Sequence, residues 1–472
     1  MTPNGARKFF GTDGIRAIAG EAPLDPTTIY GVGSALGHSL RKTGVPSDRS
    51  SSLGWKATTR LKVLLGRDTR ESGPWIAATL AEGLREAGAL VESAGVITTP
   101  AVAFLARTHG FHAGVVISAS HNPWQDNGIK LFGADGYKLP DAVELAMEEE
   151  ILYHAAQVNI SDPSCFKPVE DNPAFQADYV QFLLDCVPGL SLASLRIVAD
   201  CANGAAGAVA PELFRRLNRD GRAQITLLND TPDGRNINAN CGALHPEYVA
   251  REVKERGADL GVTFDGDADR CMLAGPQGNV INGDAILLMA ARDLKARGML
   301  TGDVVVATTM SNMGLEAALK HSGIKMDRAP VGDRYVLEEM QKQNAALGGE
   351  QSGHILFPHL ATTGDGLLTA LVVLDLVART GKSISELTAD LKVFPQVIVN
   401  VKVREKRPLH LVPAVVAAIF AAEEDLRGTG RVVIRYSGTE PLARVMIEAE
   451  SEEAMRRHAE AIAAAIRSEL GA

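Results

Sequence analysis

The chain has few cysteines, no paired cysteine motif, and no apolar run long enough to cross a bilayer. Its five cysteines, Cys165, Cys186, Cys201, Cys241 and Cys271, are scattered through 472 residues. An odd number of widely spaced cysteines argues against a disulfide framework or a zinc site and favours reduced thiols. The N-terminal MTPNGARKFFGTDG has no apolar signal segment, and runs such as LVPAVVAAIFAA are too short to span a membrane. We therefore expect a cytoplasmic protein with no membrane partner.

The chain also has fewer basic than acidic residues. The 48 basic and 57 acidic residues leave a net charge of -9. This balance gives no indication of a nucleic-acid surface or a polybasic membrane anchor, so an anionic ligand would have to be held by local basic clusters. Hydrophobic residues make up 46% and charged residues 22%, which is ordinary for a soluble globular protein. The length predicts roughly three to four domains of about 150 residues each.

A weak internal repeat organises the chain. Three short β-rich runs are each followed by a helical stretch: LKVLLGRDTR, LRIVADCANG and DVVVATTMSN. Each unit later reaches a second polar loop, which is ISASHNP, FDGDADR and GGEQSGH in turn. Strands that alternate with helices indicate βαβ crossovers and mainly parallel, mixed sheets. We predict three similar α/β domains, at residues 1–170, 171–278 and 279–390, and a smaller α+β domain at 391–472. The stretch from Ser161 is the predicted linker, and residues 43–60 are predicted to form a surface loop.

The loop DGDADR places three carboxylates, Asp265, Asp267 and Asp269, at every second position after an apolar run. They can converge if the backbone curls, which Gly266 permits, and crowded carboxylates require a cation. A calcium loop of the EF-hand type does not fit, because Arg270 stands where that loop has glycine. A small set of oxygen ligands favours Mg²⁺ completed by a phosphate oxygen. The alternative is a solvated acidic turn.

Ser120 ends the apolar run AGVVIS and stands beside His121. The surrounding SASHN does not match the nucleophile elbow of serine hydrolases. One alternative is a serine that only shapes a strand-end turn, and His121 is either an acid–base group or a hydrogen-bonding residue that orders the loop. A phosphorylated Ser120, however, would supply the missing ligand to a metal on the aspartate loop.

Two further loops offer binding groups. In RYSGTEPLAR, the turn at Ser437, Gly438 and Thr439 can cradle an anion, and Arg435 and Arg444 add forked positive charge. The alternative is a hairpin turn that happens to be flanked by arginines. In GGEQSGH, Glu350 and Ser352 alternate, so both side chains can face a sugar from an extended backbone. A glycine-rich turn with a capping serine is the alternative there.

Six motifs along the whole chain resemble, in order, the motifs of the α-D-phosphohexomutase family. They are FFGTDGIR, ISASHNP, NGIK, DGDADR, GGEQSGH and RYSGTEPL. Within this family, the chain is most similar to the bacterial branch that interconverts glucosamine 6-phosphate and glucosamine 1-phosphate. The similarity lies in three motifs taken together, FGTDGIR, GGEQSGH and RYSGTEPLARVM. One departure is Ala17, where the family usually has glycine. The resemblance implies a heart-shaped arrangement of four domains, a hexosamine 1,6-bisphosphate intermediate or primer, and a role before UDP-N-acetylglucosamine and cell-wall synthesis.

The resemblance also implies roles for single residues. Ser120 would carry a phosphoryl group and bind Mg²⁺ together with the three aspartates. Lys130 would act either as general acid/base or electrostatically near that group, together with Arg16 and Arg270. The implied substrate-binding residues are Glu350, Ser352, His354, Arg435, Ser437, Gly438, Thr439 and Arg444. The C-terminal domain would close over the substrate, and the implied partners are an amino-sugar phosphate, a second copy in a homodimer and an activating kinase.

Two other functions stay open at this point. A phosphomannomutase or phosphoglucomutase of the same family would share Ser120, the aspartates and the phosphate loop, and would differ in its sugar contacts near Glu350. A sugar-phosphate binder without catalytic activity would keep the fold. The serine, the three aspartates and the lysine argue against the second alternative, because binding alone needs no phosphoryl acceptor.

Overall fold

The computed structural model describes residues 9–11, 13–43, 60–192, 194–437 and 441–471. The chain forms two compact units. The larger holds the residues up to Met310 together with Met326–Ala389, and the smaller holds Ser311–Lys325 together with Asp390–Ala472. None of the described helices combines the length and the apolar character that a membrane span requires. The domain boundaries expected after residues 170, 278 and 390 stay a prediction.

The first sheet of the larger unit is mixed and has six strands in the order β1-β2-β6-β5-β3-β4. The strands are β1 (Phe10–Gly11), β2 (Gly14–Ile18), β3 (Lys62–Arg67), β4 (Leu90–Val96), β5 (Ala113–Ile117) and β6 (Asp126–Gly133). The helices are α1 (Pro26–Thr43), α2 (Gly73–Glu86), α3 (Thr99–Thr108) and α4 (Asp141–Ala155). β3 pairs in parallel with β4 and β5, and antiparallel strands continue the sheet from β5.

Side-chain alternation along these strands produces two packed faces. Val63 and Val115 point into an apolar core that also holds Ile29 of α1, Leu80 of α2 and Ile151 of α4. On the opposite face a Cβ atom on Gly66 or Gly114 would lie 2.4 or 2.8 Å from the methyl groups of Val102 in α3. The absence of side chains there lets α3 pack directly on the sheet. Both faces are therefore covered, as parallel strands require.

The second sheet has five strands in the order β11-β10-β9-β7-β8. Its strands are β7 (Arg196–Asp200), β8 (Gln224–Leu228), β9 (Leu260–Phe264), β10 (Cys271–Ala274) and β11 (Val280–Ile281), and its helices are α5 (Ala174–Cys186), α6 (Ala206–Leu217) and α7 (Pro246–Arg256). β7 pairs in parallel with β8 and β9, while β10 returns antiparallel to β9. The tight return between β9 and β10 contains the aspartate loop.

The third sheet has four strands in the order β13-β12-β14-β15. Its strands are β12 (Val304–Thr308), β13 (Lys325–Ala329), β14 (Gly348–Gly349) and β15 (Ile355–Leu356). The helices of this region in the larger unit are α8 (Gly283–Ala296), α10 (Asp333–Gln343), α11 (Gly366–Thr380) and α12 (Ile384–Leu387). Asp365 precedes α11 as its N-cap, and its side chain accepts a hydrogen bond from the Leu368 backbone N–H.

The smaller unit has an antiparallel sheet in the order β16-β18-β17. Its elements are α9 (Met313–His321), β16 (Gln396–Lys402), α13 (Pro413–Asp425), β17 (Gly430–Tyr436), β18 (Leu442–Ala449) and α14 (Glu452–Leu470). Its core joins Val445 and Ile447 of β18 to Ile462 and Ile466 of α14. This confirms the smaller α+β domain expected at the C-terminal end.

The repeat read from the sequence is confirmed in the strands. The runs KVLLGR, RIVAD and VVVAT form β3, β7 and β12. Two polar loops follow β5 and β9, and the third begins with the two glycines of β14. Between α4 and α5, the proline-bearing stretch after Ser161 contains a short 3-10 turn, Pro163–Cys165, and an isolated bridge from Asp171 to Ser93. The surface loop predicted at residues 43–60 lies almost entirely outside the described residues.

Candidate active site

Ser120 is fixed at the end of β5 by hydrogen bonds to its backbone. Its φ angle is 54°, in the left-handed region, and the residue is 1% exposed. Its N–H donates to the Ser118 hydroxyl at 2.9 Å, and its carbonyl accepts from Asn238 Nδ2 at 3.0 Å and Arg70 Nη2 at 3.3 Å. A non-glycine residue with this backbone conformation carries strain that only well-packed surroundings maintain. The backbone position of Ser120 is therefore set by the fold.

The buried ion pair of Asp68 and Arg70 holds the loop around Ser120 in place through hydrogen bonds. The side chains of Asp68 and Arg70 are both 0% exposed and contact each other. Asp68 also accepts from the Ser118 hydroxyl at 2.5 Å, and Arg70 donates to the Asn122 carbonyl at 2.6 Å. Burial raises the pKa of Asp68, and the charge of Arg70 opposes that rise. Sequence reasoning did not single out this pair, although charged residues directly after the buried strand β3 are a signal for it.

The aspartate loop converges as expected, but the curl lies at a different residue. The ligand oxygens of Asp265, Asp267 and Asp269 all lie within 4.8 Å of one another, and all three residues are buried. The residue with left-handed backbone is Ala268, with φ 56°, and not Gly266. Gly266 is needed for a close approach instead, because a Cβ atom there would lie 2.5 Å from the Ser120 carbonyl oxygen.

The serine and the aspartates meet, although they are far apart in sequence. The Ser120 hydroxyl donates to Asp265 Oδ2 at 2.5 Å, across a separation of 145 residues. Burial and the charges of Asp269 and Asp267 raise the pKa of Asp265 to about 8. Among the described residues, Oδ1 of Asp267 and Oδ1 of Asp269 are buried without a hydrogen-bond partner. Crowded carboxylates with buried oxygens that accept no hydrogen bond fit a hard divalent cation such as Mg²⁺.

Lys130, on β6, lies beside the same carboxylates. Its Nζ is 2.8 Å from Asp267 Oδ2, 3.4 Å from Asp269 Oδ2 and 3.2 Å from Asp13 Oδ2. Burial lowers the pKa of Lys130, but the charges of Asp13, Asp267 and Asp269 outweigh burial and raise it well above its ordinary value. Lys130 is therefore a buried ammonium ion directed at the predicted cation site.

A chain of alternating charges extends from Lys130, and sequence reasoning missed it. Lys138 Nζ bridges Asp13 Oδ1 at 2.5 Å and Asp333 Oδ2 at 2.6 Å. Burial opposes its charge, yet the two carboxylates raise the pKa of Lys138 to about 12. Asp13 belongs to the motif FGTDGIR and could have been found there, whereas Asp333 begins a helix with no motif of its own.

The third loop delivers three of the predicted sugar-binding side chains. Ser352 Oγ donates to Glu350 Oε2 at 3.1 Å, and Glu350 Oε1 accepts from the Gly332 backbone N–H at 3.0 Å. His354 Nδ1 lies 3.6 Å from Asp269 Oδ1. Burial lowers the pKa of His354, but Asp269 and other nearby carboxylates raise it to about 9. The sugar-binding role of these residues stays a prediction.

The remaining predicted catalytic residues are His121, which contacts the Ser120 hydroxyl, and Arg16 and Arg270, which contact neighbouring residues. His121 Nδ1 is 3.2 Å from that hydroxyl, and burial with the charges of Arg270 and Arg16 lowers the pKa of His121 to about 4. Arg16 pairs with Asp13 and lies 3.4 Å from the Asn122 side-chain oxygen. The Arg270 backbone N–H donates to Asp265 Oδ1 at 3.2 Å. The charges of Arg16 and Arg270 therefore act on His121, the residue in contact with the Ser120 hydroxyl.

In the smaller unit, a hairpin presents the predicted phosphate-binding residues. Arg435 of β17 is directly opposite Arg444 of β18. This register brings two arginines to adjacent positions on neighbouring strands. Lys406, which sequence reasoning missed, donates to the Ser437 carbonyl at 2.6 Å. Gly438 and Thr439 lie outside the described residues.

Comparison with models of known protein families finds a match in each of four successive parts of the chain. Family models of phosphoglucomutase/phosphomannomutase match in order: alpha/beta/alpha domain I at residues 7–157, domain II at 177–278, domain III at 282–394 and the C-terminal domain at 398–465. The chain therefore has three α/β domains and a smaller C-terminal domain, as the motifs predicted.

Similar proteins agree with this assignment. A phosphoglucosamine mutase of Koribacter versatilis is 57% identical over 470 residues, which cover 98% of each chain. Two solved structures share the fold at lower identity. A phosphoglucomutase/phosphomannomutase family protein of Burkholderia thailandensis has a TM-score of 0.74 at 24% identity and covers 97% of both chains. An Aspergillus fumigatus N-acetylphosphoglucosamine mutase with GlcNAc-6P and magnesium has a TM-score of 0.65 at 19% identity, covering 98% of this chain and 96% of the other. The chain belongs to the phosphoglucosamine mutase family of α-D-phosphohexomutases.

Proposed function

We propose that this isomerase interconverts glucosamine 6-phosphate and glucosamine 1-phosphate through a phosphorylated Ser120 and a 1,6-bisphosphate. The observation that carries the mechanism is the contact between the Ser120 hydroxyl and Asp265, which joins a strand-end serine to a buried trio of carboxylates. A hydroxyl in that position is suited to hold a phosphoryl group beside a cation. The product would feed the synthesis of UDP-N-acetylglucosamine.

The reaction requires two phosphoryl transfers. In the first, the free hydroxyl of the sugar phosphate attacks the phosphorus on Ser120, the bond from phosphorus to the serine oxygen breaks, and a bisphosphate forms. The proton of the sugar hydroxyl is released and the serine oxygen regains one. After the bisphosphate turns around, the Ser120 hydroxyl attacks the other phosphate, and the isomeric monophosphate leaves with its freed hydroxyl protonated.

Positive charge around Ser120 is the main contribution of the protein, because phosphoryl transfer depends on positioning and charge stabilisation. Lys130 contacts three carboxylates through its ammonium group, which supports an electrostatic role over that of a base. Arg16 and Arg270 would bind the transferring oxygens. His121, next to the serine oxygen, is the candidate proton carrier.

Asp265, Asp267, Asp269 and phosphorylated Ser120 would hold Mg²⁺. The ion supplies charge neutralisation on the transferring group when it is bound. Two features support this assignment: the buried Oδ1 atoms of Asp267 and Asp269, which accept no hydrogen bond from the described residues, and the magnesium in the Aspergillus fumigatus relative.

Two groups of residues are proposed to recognise the substrate. Glu350 and Ser352, held together by their hydrogen bond, are proposed to bind the sugar with His354. Arg435, Ser437, Gly438, Thr439 and Arg444 are proposed to bind the phosphate that is not reacting. A homodimer and an activating kinase stay predictions. A cytoplasmic location is supported by the five free cysteines.

A substrate panel tests the proposal. Wild type and Ser120→Ala are assayed with the 1-phosphates of glucosamine, glucose and mannose, with Ser385→Ala as a control outside the loops. We expect the highest kcat/KM for glucosamine 1-phosphate and almost no turnover by folded Ser120→Ala. Preference for mannose or glucose would favour the other mutases of the family. Full activity of Ser120→Ala would overturn the phosphoserine mechanism.

A further inference from the structure

Two histidines and a glutamate converge on the outer side of the first sheet's helices, apart from the aspartate loop. His38 lies on α1, Glu86 ends α2 and His154 is near the end of α4. One ligand atom from each lies within 4.8 Å of the other two. Two imidazoles and a carboxylate form a donor set that Zn²⁺ uses in proteins, with a fourth position left for water.

Close helix packing explains why these three residues meet. A Cβ atom on Gly33 would lie 2.2 Å from the Leu80 carbonyl oxygen, and one on Gly83 would lie 2.2 Å from that of Tyr30. These glycines bring α1 and α2 into backbone contact. Gly31 does the same between α1 and α4, where a Cβ atom would lie 2.6 Å from the carbonyl oxygen of α4 residue Ile151. The cluster therefore stands on a rigid three-helix support rather than on loops.

A buried serine positions two of the three side chains. Ser34 is 0% exposed. Its backbone carbonyl lies 2.9 Å from His38 Nδ1, which donates to it and leaves Nε2 to bind a metal. Its hydroxyl donates to Glu86 Oε2 at 2.8 Å. Metal-binding histidines commonly donate their second ring N–H to a carbonyl, and binding carboxylates are commonly hydrogen-bonded in turn.

The two imidazoles lie next to each other with the rings stacked. Their centroids are 4.7 Å apart and the interplanar angle is 24°. Binding of a common ion requires one ring to turn. The half-buried His154 can do this at low cost because the χ2 torsion of histidine is broad. Glu86 is exposed, so an ion can reach the cluster from solvent.

We propose that His38, Glu86 and His154 form a second metal site, which binds a divalent transition-metal ion of the Zn²⁺ class. Imidazole ligands suit Zn²⁺, whereas Mg²⁺ prefers oxygen ligands, so the site is chemically distinct from the aspartate loop. A bound ion would link α1, α2 and α4 and stabilise the fold that carries Ser120, without taking part in phosphoryl transfer.

Calorimetric titration with Zn²⁺ in saturating Mg²⁺ tests this site. We expect wild type to bind one Zn²⁺, and His38→Ala, His154→Ala and Glu86→Gln to bind it at least about tenfold more weakly. The thermal unfolding midpoint of wild type should rise with Zn²⁺, and that of His154→Ala should not. The control is His245→Ala, because His245 pairs with a single carboxylate, Glu247, at 3.2 Å.

Ser34→Ala provides a separate test of positioning. It removes the hydrogen bond to Glu86 but keeps all three ligands, so it should weaken Zn²⁺ binding by about 10- to 100-fold. Co²⁺ used as a spectroscopic probe should lose its imidazole-dependent visible bands in His38→Ala. Equal Zn²⁺ binding by wild type and the three ligand variants would overturn the proposal, as would Zn²⁺ binding that is lost only when the aspartate loop is changed.

Discussion

Replacement of Arg70 by methionine should destabilise the larger unit and inactivate the enzyme. The guanidinium group is fully buried, pairs with the buried carboxylate of Asp68, and donates to the carbonyls of Ser120 and Asn122. Removal of one partner of a buried ion pair leaves an uncompensated charge and costs about 3–5 kcal/mol. The two carbonyls would lose a donor as well, which places the expected loss of unfolding free energy in the upper part of that range.

Urea unfolding and steady-state kinetics measure the two effects of Arg70→Met. The matched control is Arg215→Met, because Arg215 also pairs with an acidic residue, Glu212, but is 71% exposed. Solvent screens that pair, so the control should keep its urea midpoint and its kcat. Equal shifts of the midpoint in both variants would refute the assigned role of the buried pair. Normal kcat in Arg70→Met would refute its role in positioning Ser120.

Three further predictions concern packing, pH and metal. Gly266→Ala should lower stability by about 1–3 kcal/mol and reduce kcat, because the new methyl group would meet the Ser120 carbonyl. Gly207→Ala is the control and should be tolerated, because the nearest atom to its methyl group would be 3.6 Å away. Equal unfolding midpoints in the two variants would contradict this. Hydrogen bonds from Arg67 lower the pKa of Asp171 below its ordinary value of 3.8. The stability difference between wild type and Asp171→Asn should therefore be full above that ordinary pKa and shrink as the pH falls through the folded-state pKa, and a difference independent of pH would contradict this. Excess EDTA should abolish turnover and added Mg²⁺ should restore it; an unchanged rate would contradict the magnesium assignment.

Much of the fold could be predicted because its signals are local. Apolar runs such as AGVVI and LGVTF become buried strands, and the polar loops that follow them lie at the strand ends. The meeting of Ser120 with the aspartates also followed from this rule together with the family motifs. The C-terminal hairpin followed from two β-rich runs on either side of a turn.

The charge network around the site could not be predicted in the same way. Lys138 and Asp333 are 195 residues apart, and only tertiary packing brings them to Asp13. The backbone curl at Ala268 was assigned to Gly266, since glycine is the usual residue in a left-handed conformation. In the folded chain the need for glycine comes from the approach of another loop, which the local sequence does not reveal.

The most direct test of the account is to follow an isotope-labelled phosphoryl group on the protein through turnover. Wild type that carries the labelled phosphoryl group is mixed with unlabelled glucosamine 1-phosphate and Mg²⁺, and fragmentation mass spectrometry locates the group and its label. We expect a single phosphoryl group on Ser120, replacement of the labelled group by an unlabelled one from the substrate only when Mg²⁺ is present, and no phosphorylation of Ser120→Ala. A phosphoryl group on another residue, or transfer at full rate without a divalent cation, would contradict the central claim.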